Sequence, residues 1–227
     1  MKVSLPSRLT AEFMGTALLV AAVVGSGIMG ERLAGGNTGL ALLANTIATG
    51  AALAALILTF GPISGAHFNP VVSLADAWHG GLSWNEASAY ILAQTLGGVT
   101  GTLAAHVMFR LPVVFLSHHA RSGPAQAFSE FVATFGLVSV IHGCSRRGFG
   151  ASAAAVGSYI AAAYWFTAST SFANPAVTVA RSLSDTFSGI RPADVPGFIV
   201  AQLMGGLAAT LLFGWLGRNS RSAAQSP

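Results

Sequence analysis

Charge is what this sequence has least of. Lysine, arginine, aspartate and glutamate make up 8% of its 227 residues, against about 25% in an ordinary soluble domain. So few charges cannot cover a globular surface, which makes the lipid bilayer the favoured surroundings. Cysteine is nearly absent too. Cys144 stands alone, so no disulfide forms within the chain, and a lone thiol reads as a small buried residue. Basic residues are few and scattered: the 11 of them lie over short loops with no stripe, so the net charge of +4 does not mark a nucleic-acid binder. No nucleophile–base pair, phosphate loop or metal-ligand cluster is legible, which argues against an enzyme and implies no cofactor. His118 and His119 are adjacent, and neighbouring side chains point apart on most backbones, so they make a poor metal site.

What the chain has in quantity is apolar sequence, 53% of all residues. Six stretches run at roughly 9–30, 38–60, 87–109, 127–144, 151–168 and 197–217. Each is about 18–23 residues, close to the ~20 a helix needs to cross hydrocarbon. The gaps are short and carry breakers such as Gly35-Gly36-Asn37, Gly61-Pro62 and Ser122-Gly123-Pro124. None holds a soluble domain. The first run is expected to be a retained span rather than a signal peptide. The polar tail, 218–227, is expected to lack order. Trp78, Trp84 and Trp215 fall near span ends, where interfacial anchors sit. Trp165 and Phe166 read as lipid or packing contacts.

The chain also repeats itself. Glu12-Phe13-Met14-Gly15-Thr16 returns as Glu130-Phe131-Val132-Ala133-Thr134. His67-Phe68-Asn69-Pro70-Val71-Val72 returns as Phe172-Ala173-Asn174-Pro175-Ala176-Val177, and Ile91 to Gly98 returns as Ile199 to Gly206. Each copy holds three spans, about 9–110 and 126–217, within one transmembrane domain over 1–227. An odd number of spans per copy puts the copies in opposite orientations, an inverted repeat. Two shorter apolar segments, 69–78 and 174–183, open on Asn-Pro. Asn is a strong N-cap and Pro suits the first helical position, so each predicts a half-helix of about ten residues. The lead-ins, 62–68 and 167–173, are rich in small residues that leave carbonyls free to line a passage. Backbone that is not helical survives at membrane depth only when buried in protein or lining water. Inverted symmetry brings the two half-helix N-termini together near the midplane. Each Asn, capping with its oxygen, keeps its NH2 group as a donor toward the passage, and the positive helix ends disfavour cations. The result is an all-α membrane protein of six tilted transmembrane helices plus two re-entrant half-helices.

SGAHFNPVVSLA and SFANPAVTVAR, with the two glutamates and the six spans, resemble the aquaporin and glycerol-facilitator family over about residues 9–217. The resemblance implies one pore per subunit, a homotetramer in the bilayer of the inner (plasma) membrane, and an N-terminus inside. The charges alone decide orientation poorly, since six basic residues (Lys2, Arg8, Arg146, Arg147, Arg218, Arg221) would lie inside and five (Arg32, Arg110, Arg121, Arg181, Arg191) outside. Glu12 and Glu130 lie inside spans, which is costly. The resemblance implies that they hold the carbonyls of the re-entrant loops. Val71 stands where the family usually has alanine, and Phe172 where it prefers a small residue.

The family narrows its pore with four residues, one usually an arginine three places after the second motif Asn. Here that place is Val177. The spacing carries the others to Thr49, Ala162 and Ser171. All four are small or medium and uncharged, so the collar is expected to be wide. Arg181, one turn beyond Val177, is expected either to add positive potential at the mouth or to be a solvated helix end. His67 is expected along the inner half of the pore. An arginine-free collar resembles the bacterial aquaporin-like channels linked with arsenic resistance, best described in rhizobia. The expected function is passive passage of small uncharged solutes: glycerol-like polyols, water and metalloid hydroxides such as arsenous acid. The alternatives are a water-selective aquaporin and an ion-coupled secondary transporter, the latter needing carboxylates that face the site.

Overall fold

Side-chain caps and prolines mark where the helices begin. Ser4 accepts a hydrogen bond from the Ser7 N–H and opens α1, Leu5–Leu33. Asn37 accepts from the Leu40 N–H and opens α2, Thr38–Ser64. Asn69 opens α3, Pro70–Trp78. Ser83 and Glu86 form a reciprocal capping box on α4, Trp84–Met108. Helix α5, Pro124–Cys144, starts on a proline. One 3₁₀ turn, Ser145–Arg147, leads into α6, Gly148–Phe166. Asn174 opens α7, Pro175–Arg181. A second 3₁₀ turn, Pro192–Asp194, precedes α8, Val195–Ala223. The computed structural model describes residues 3–223. Among them the only β pairing is an isolated bridge between Phe115 and Ser184.

Six long helices and two short ones match the expected architecture, with adjustments. Helix α2 absorbs Pro62 in its last turn and stops at Gly65, whose φ of 90° is the left-handed ending that glycine adopts freely. The first lead-in is therefore shorter than the expected 62–68. Helix α7 has 7 residues rather than about ten. Five runs are long and apolar enough to cross a membrane: α1, α2, α4, α5 and Pro192–Gly217. Helix α6 has 19 residues, long enough, but its glycine, serine, tyrosine and tryptophan residues lower its hydropathy. The tail expected to lack order from 218 continues as helix to Ala223. Residues 224–227 and Lys2 lie outside the described residues.

The packing repeats as the sequence does. Helix α1 packs on α2 and α4, α5 packs on α6 and α8, and α2 meets α6 to join the two sets. Glycine makes the closest approaches possible. A Cβ on Gly97 or Gly101 would run into the carbonyls of Phe13 and Ala17, and one on Gly205 into that of Phe131. Large apolar side chains cover the outside, among them Ile47, Leu92, Phe128 and Val200. Trp78, Trp84, Trp165 and Trp215 are each more than half exposed on that surface, as residues facing lipid are.

Candidate functional site

The two Asn-Pro motifs meet. Asn69 Oδ1 accepts from the Val71 N–H at 2.9 Å, and Asn174 Oδ1 accepts from the Ala176 N–H at 3.0 Å and the Val177 N–H at 3.2 Å. Each Asn then reaches across. Asn69 Nδ2 donates to the Ala173 carbonyl and Asn174 Nδ2 to the Phe68 carbonyl, both at 2.7 Å. One hydrogen of each NH2 group thus ties the two loops together, leaving one rather than two for anything in the passage. Pro70, Pro175 and Ala176 are buried at this junction.

The loops that carry these motifs hold matching left-handed backbone. Ala66 and Phe68, three and one before Asn69, have φ of 51° and 49°; Ser171 and Ala173, three and one before Asn174, have φ of 50° and 49°. Such non-glycine residues cost about 1–3 kcal/mol each and persist only where surroundings enforce them. The enforcing groups are the two buried glutamates. Glu12 accepts from the backbone N–H of His67 at 2.9 Å and of Phe68 at 2.7 Å. Glu130 accepts from those of Phe172 at 2.9 Å and Ala173 at 2.8 Å. The expectation that these residues hold loop carbonyls is corrected here, because a carboxylate accepts and so grips the amides. Two glutamines, given no role from the sequence although they lie in its repeated motif, complete the arrangement. Gln94 Nε2 donates to Glu12 and to Ser73 Oγ, and Gln202 Nε2 donates to Glu130 and to Thr178 Oγ1.

A single cavity of about 370 Å³ runs past the motif junction. Its inner end is lined by Asp76, Ser145, Gly148 and Phe149. Asn69, Asn174 and His67 line its middle, and His67 Nδ1 lies 3.1 Å from Ser73 Oγ. Its outer end is lined by Thr49, Tyr164, Ser171, Val177 and Arg181. Neither Glu12 nor Glu130 lines it; Asp76 is its one carboxylate.

Of the four expected collar residues the structure brings Thr49, Ser171 and Val177 to the cavity. Ala162 is corrected: it is exposed on the opposite side of α6 and does not reach the cavity. The face of α6 that does is Ser152, Val156, Ile160 and Tyr164, a stripe of every fourth residue. Tyr164 Oη donates to Thr49 Oγ1 at 3.3 Å. The outer end is therefore not lined by small side chains alone. The stripe was detectable in the sequence as four larger or polar residues at period four in an alanine-rich helix, but counting back from Asn174 missed it.

Arg181 is not a solvated helix end. It is 2% exposed, and its guanidinium lies 3.3 Å from the centre of the Phe172 ring. Its Nε donates to the Ser188 carbonyl. Arg121, in the loop before α5, approaches the same ring at 5.1 Å and donates to the carbonyls of Ser169 and Gly189 at 3.2 and 2.7 Å. Burial lowers the pKa of Arg121 from its ordinary value. Phe172 itself is fixed edge to face against Phe198. Val71 lies away from the cavity, packed with Ala75, Val138 and Ala209. Nearby, His118 is taken up by Asp185, which accepts from its backbone N–H at 2.8 Å and meets its ring at 3.0 Å. That backbone bond, with the ring contact, holds the Asp185 pKa below the ordinary carboxylate value.

The major intrinsic protein family model matches residues 1–148 and 144–226. The chain is 56% identical over 212 residues, 93% of it and 91% of the relative, to the aquaglyceroporin AqpS of Rhizobium meliloti strain 1021. It is 30% identical over 206 residues, 86% of it and 66% of the relative, to aquaporin NIP1-2 of Oryza sativa subsp. japonica. The X-ray structure of the aquaglyceroporin from Plasmodium falciparum superposes with a TM-score of 0.74 at 20% identity, covering 92% of this chain and 96% of that one. At that identity the likeness speaks for the fold.

Proposed function

The chain belongs to the major intrinsic protein family, and from that premise we propose that it is a passive channel, not an enzyme, for small uncharged solutes: water, polyols such as glycerol, and metalloid hydroxides such as arsenous acid. The observation that carries this reading is the cavity of about 370 Å³ that passes the Asn69–Asn174 junction with Val177 in the place of the family's usual arginine. Asn69 and Asn174 each offer one amide hydrogen to a solute oxygen. Thr49, Ser171, Val177 and Tyr164 shape the outer constriction, and His67 lines the inner half. Arsenous acid is largely uncharged near neutral pH and matches a small polyol in size and hydroxyl display. The aquaglyceroporin name of the rhizobial relative supports solute passage. The working unit is a homotetramer in the inner (plasma) membrane, each chain one channel domain with repeats at about 9–110 and 126–217.

Purified protein in liposomes, given an inward gradient of glycerol or arsenous acid, takes up both faster than empty vesicles. No excess uptake of either solute sinks the reading. Val177→Arg narrows the outer end and slows the larger solute before water. Tyr164 and Arg181 at the outer end favour a second reading, a water-selective pore; it predicts water flux without glycerol flux in the same vesicles. The coupled-transporter alternative finds no support in Glu12 or Glu130, whose oxygens are taken up by loop amides and glutamines.

A further inference from the structure

The passage read as a solute channel has lost the usual arginine at Val177, yet a guanidinium still stands in its wall. Arg181 follows Val177 by one helical turn on the same face of α7, and both line the outer end of the cavity. The side chain is fixed from two directions. Phe172 lies beneath its plane, and the Ser188 carbonyl takes its Nε hydrogen. The loop carrying Ser188 is itself held by a run of polar side chains. His106 Nε2 lies 2.8 Å from Ser184 Oγ, which lies 2.9 Å from Thr186 Oγ1. The two terminal nitrogens of Arg181 have no hydrogen-bond partner among the described residues, although the residue is almost wholly buried. A buried guanidinium with unused donors, lining a passage, offers them to whatever passes.

The charge also belongs to no contact ion pair. The ion pairs among the described residues are Arg8–Glu86, His118–Asp185 and Arg191–Asp194. Neither Arg181 nor Arg121 belongs to one, and both approach the Phe172 ring. Glu130 attracts both guanidinium groups through space, but its oxygens are engaged by the amides of Phe172 and Ala173 and by Gln202 rather than by either arginine. Arg181 therefore sets a positive group with low-dielectric surroundings in the wall at one end of the cavity, and Arg121 reaches the same ring without lining the cavity. The phenylalanine at position 172 has its physical reason here, as the platform that keeps the guanidinium in place.

We propose that Arg181, laid on Phe172, is the cation-excluding residue of this pore, acting one turn farther out than the position Val177 leaves uncharged. The proposal rests on the channel reading above. The test uses the full chain in neutral-lipid vesicles, recording glycerol uptake by light scattering and K⁺ flux with an entrapped potassium dye. The wild-type protein passes glycerol and holds K⁺. Arg181→Met raises the ratio of K⁺ to glycerol flux about tenfold, and Arg181→Lys, which keeps the charge, raises it far less. Should Arg181→Met not fold, Phe172→Leu carries the test, because an unstacked guanidinium swings from the wall and the same ratio rises. An unchanged ratio in whichever variant folds overturns the proposal, and so does a wild-type protein that conducts K⁺. A wild-type protein that passes neither solute overturns the channel reading instead.

Discussion

Glu12 and Glu130 are each 0% exposed, and a buried carboxylate is tolerable only when its oxygens are filled. They are filled by the amides of two loops in left-handed backbone and by Gln94 and Gln202. Glu130→Gln replaces one acceptor oxygen with a donor facing another donor. It is expected to cost about 3 kcal/mol and to abolish uptake, read from the melting temperature in detergent and from vesicle assays on the same sample. A stable, active Glu130→Gln protein would contradict the clamp. Position 162 gives a sharper test of side-chain direction. Ile160→Trp fills the cavity and should cut glycerol uptake about tenfold or more, whereas Ala162→Trp faces outward and should change it less than about twofold. The reverse pattern would mean that the helix is rotated from the orientation described. Sequence spacing could not make this distinction, because one residue turns a helical side chain through about 100°.

At the scale of elements, the half-helices are held by shape as well as by caps. Val71, the departure from the family's alanine, sits in a notch over Gly206, where an added Cβ would collide with its methyl group. Gly98, the equivalent glycine of the other repeat, faces the Ala180 Cβ and the Ala176 carbonyl instead. Gly206→Ala alone should overpack this contact and cost roughly 1–3 kcal/mol. Combining it with Val71→Ala should recover most of that loss, a coupling that a double-mutant cycle measures. Additive losses would show that the notch does not act as described. The link between the outer loops behaves differently. Asp185 is held below its ordinary pKa by His118, so the stability it contributes is present above the unfolded carboxylate value near ~4. That contribution is lost as pH falls through the depressed folded value. Melting curves of wild type and Asp185→Asn should therefore differ at pH 6 and converge in strong acid. A difference that grows on acidification would reverse the sign of this account.

The molecule as a whole is two copies of one plan joined head to head, and its orientation has an accessible reporter. With the N-terminus inside, the turn between α5 and α6 lies on the inner side, and half-buried Cys144 borders it. A membrane-impermeant maleimide should label Cys144 in inside-out vesicles and not in intact cells. Labelling of intact cells would invert the assignment, which the charge count of six against five left undecided. The same global view relates the three unpaired features of the outer end: a neutral Val177, a displaced Arg181 and an aromatic Phe172 in a place where a small residue was expected. Each reads as a departure alone, and together they form one wall of the cavity.

The amino-acid sequence by itself determined the membrane class, the six spans, the two half-helices and their inverted pairing. Those follow from local signals: apolar runs of bilayer length, Asn-Pro caps, and a motif order that recurs. It also placed Asn69, Asn174, Thr49, Ser171 and Val177 on positions that share the cavity. Only the tertiary structure decided that α6 turns Ile160 and Tyr164 inward and Ala162 outward, that Arg181 is buried on Phe172 rather than solvated, and that the glutamates grip amides. The reason is that helix rotation and the destination of a long side chain are set by contacts between segments far apart in the chain. No spacing within one segment encodes them.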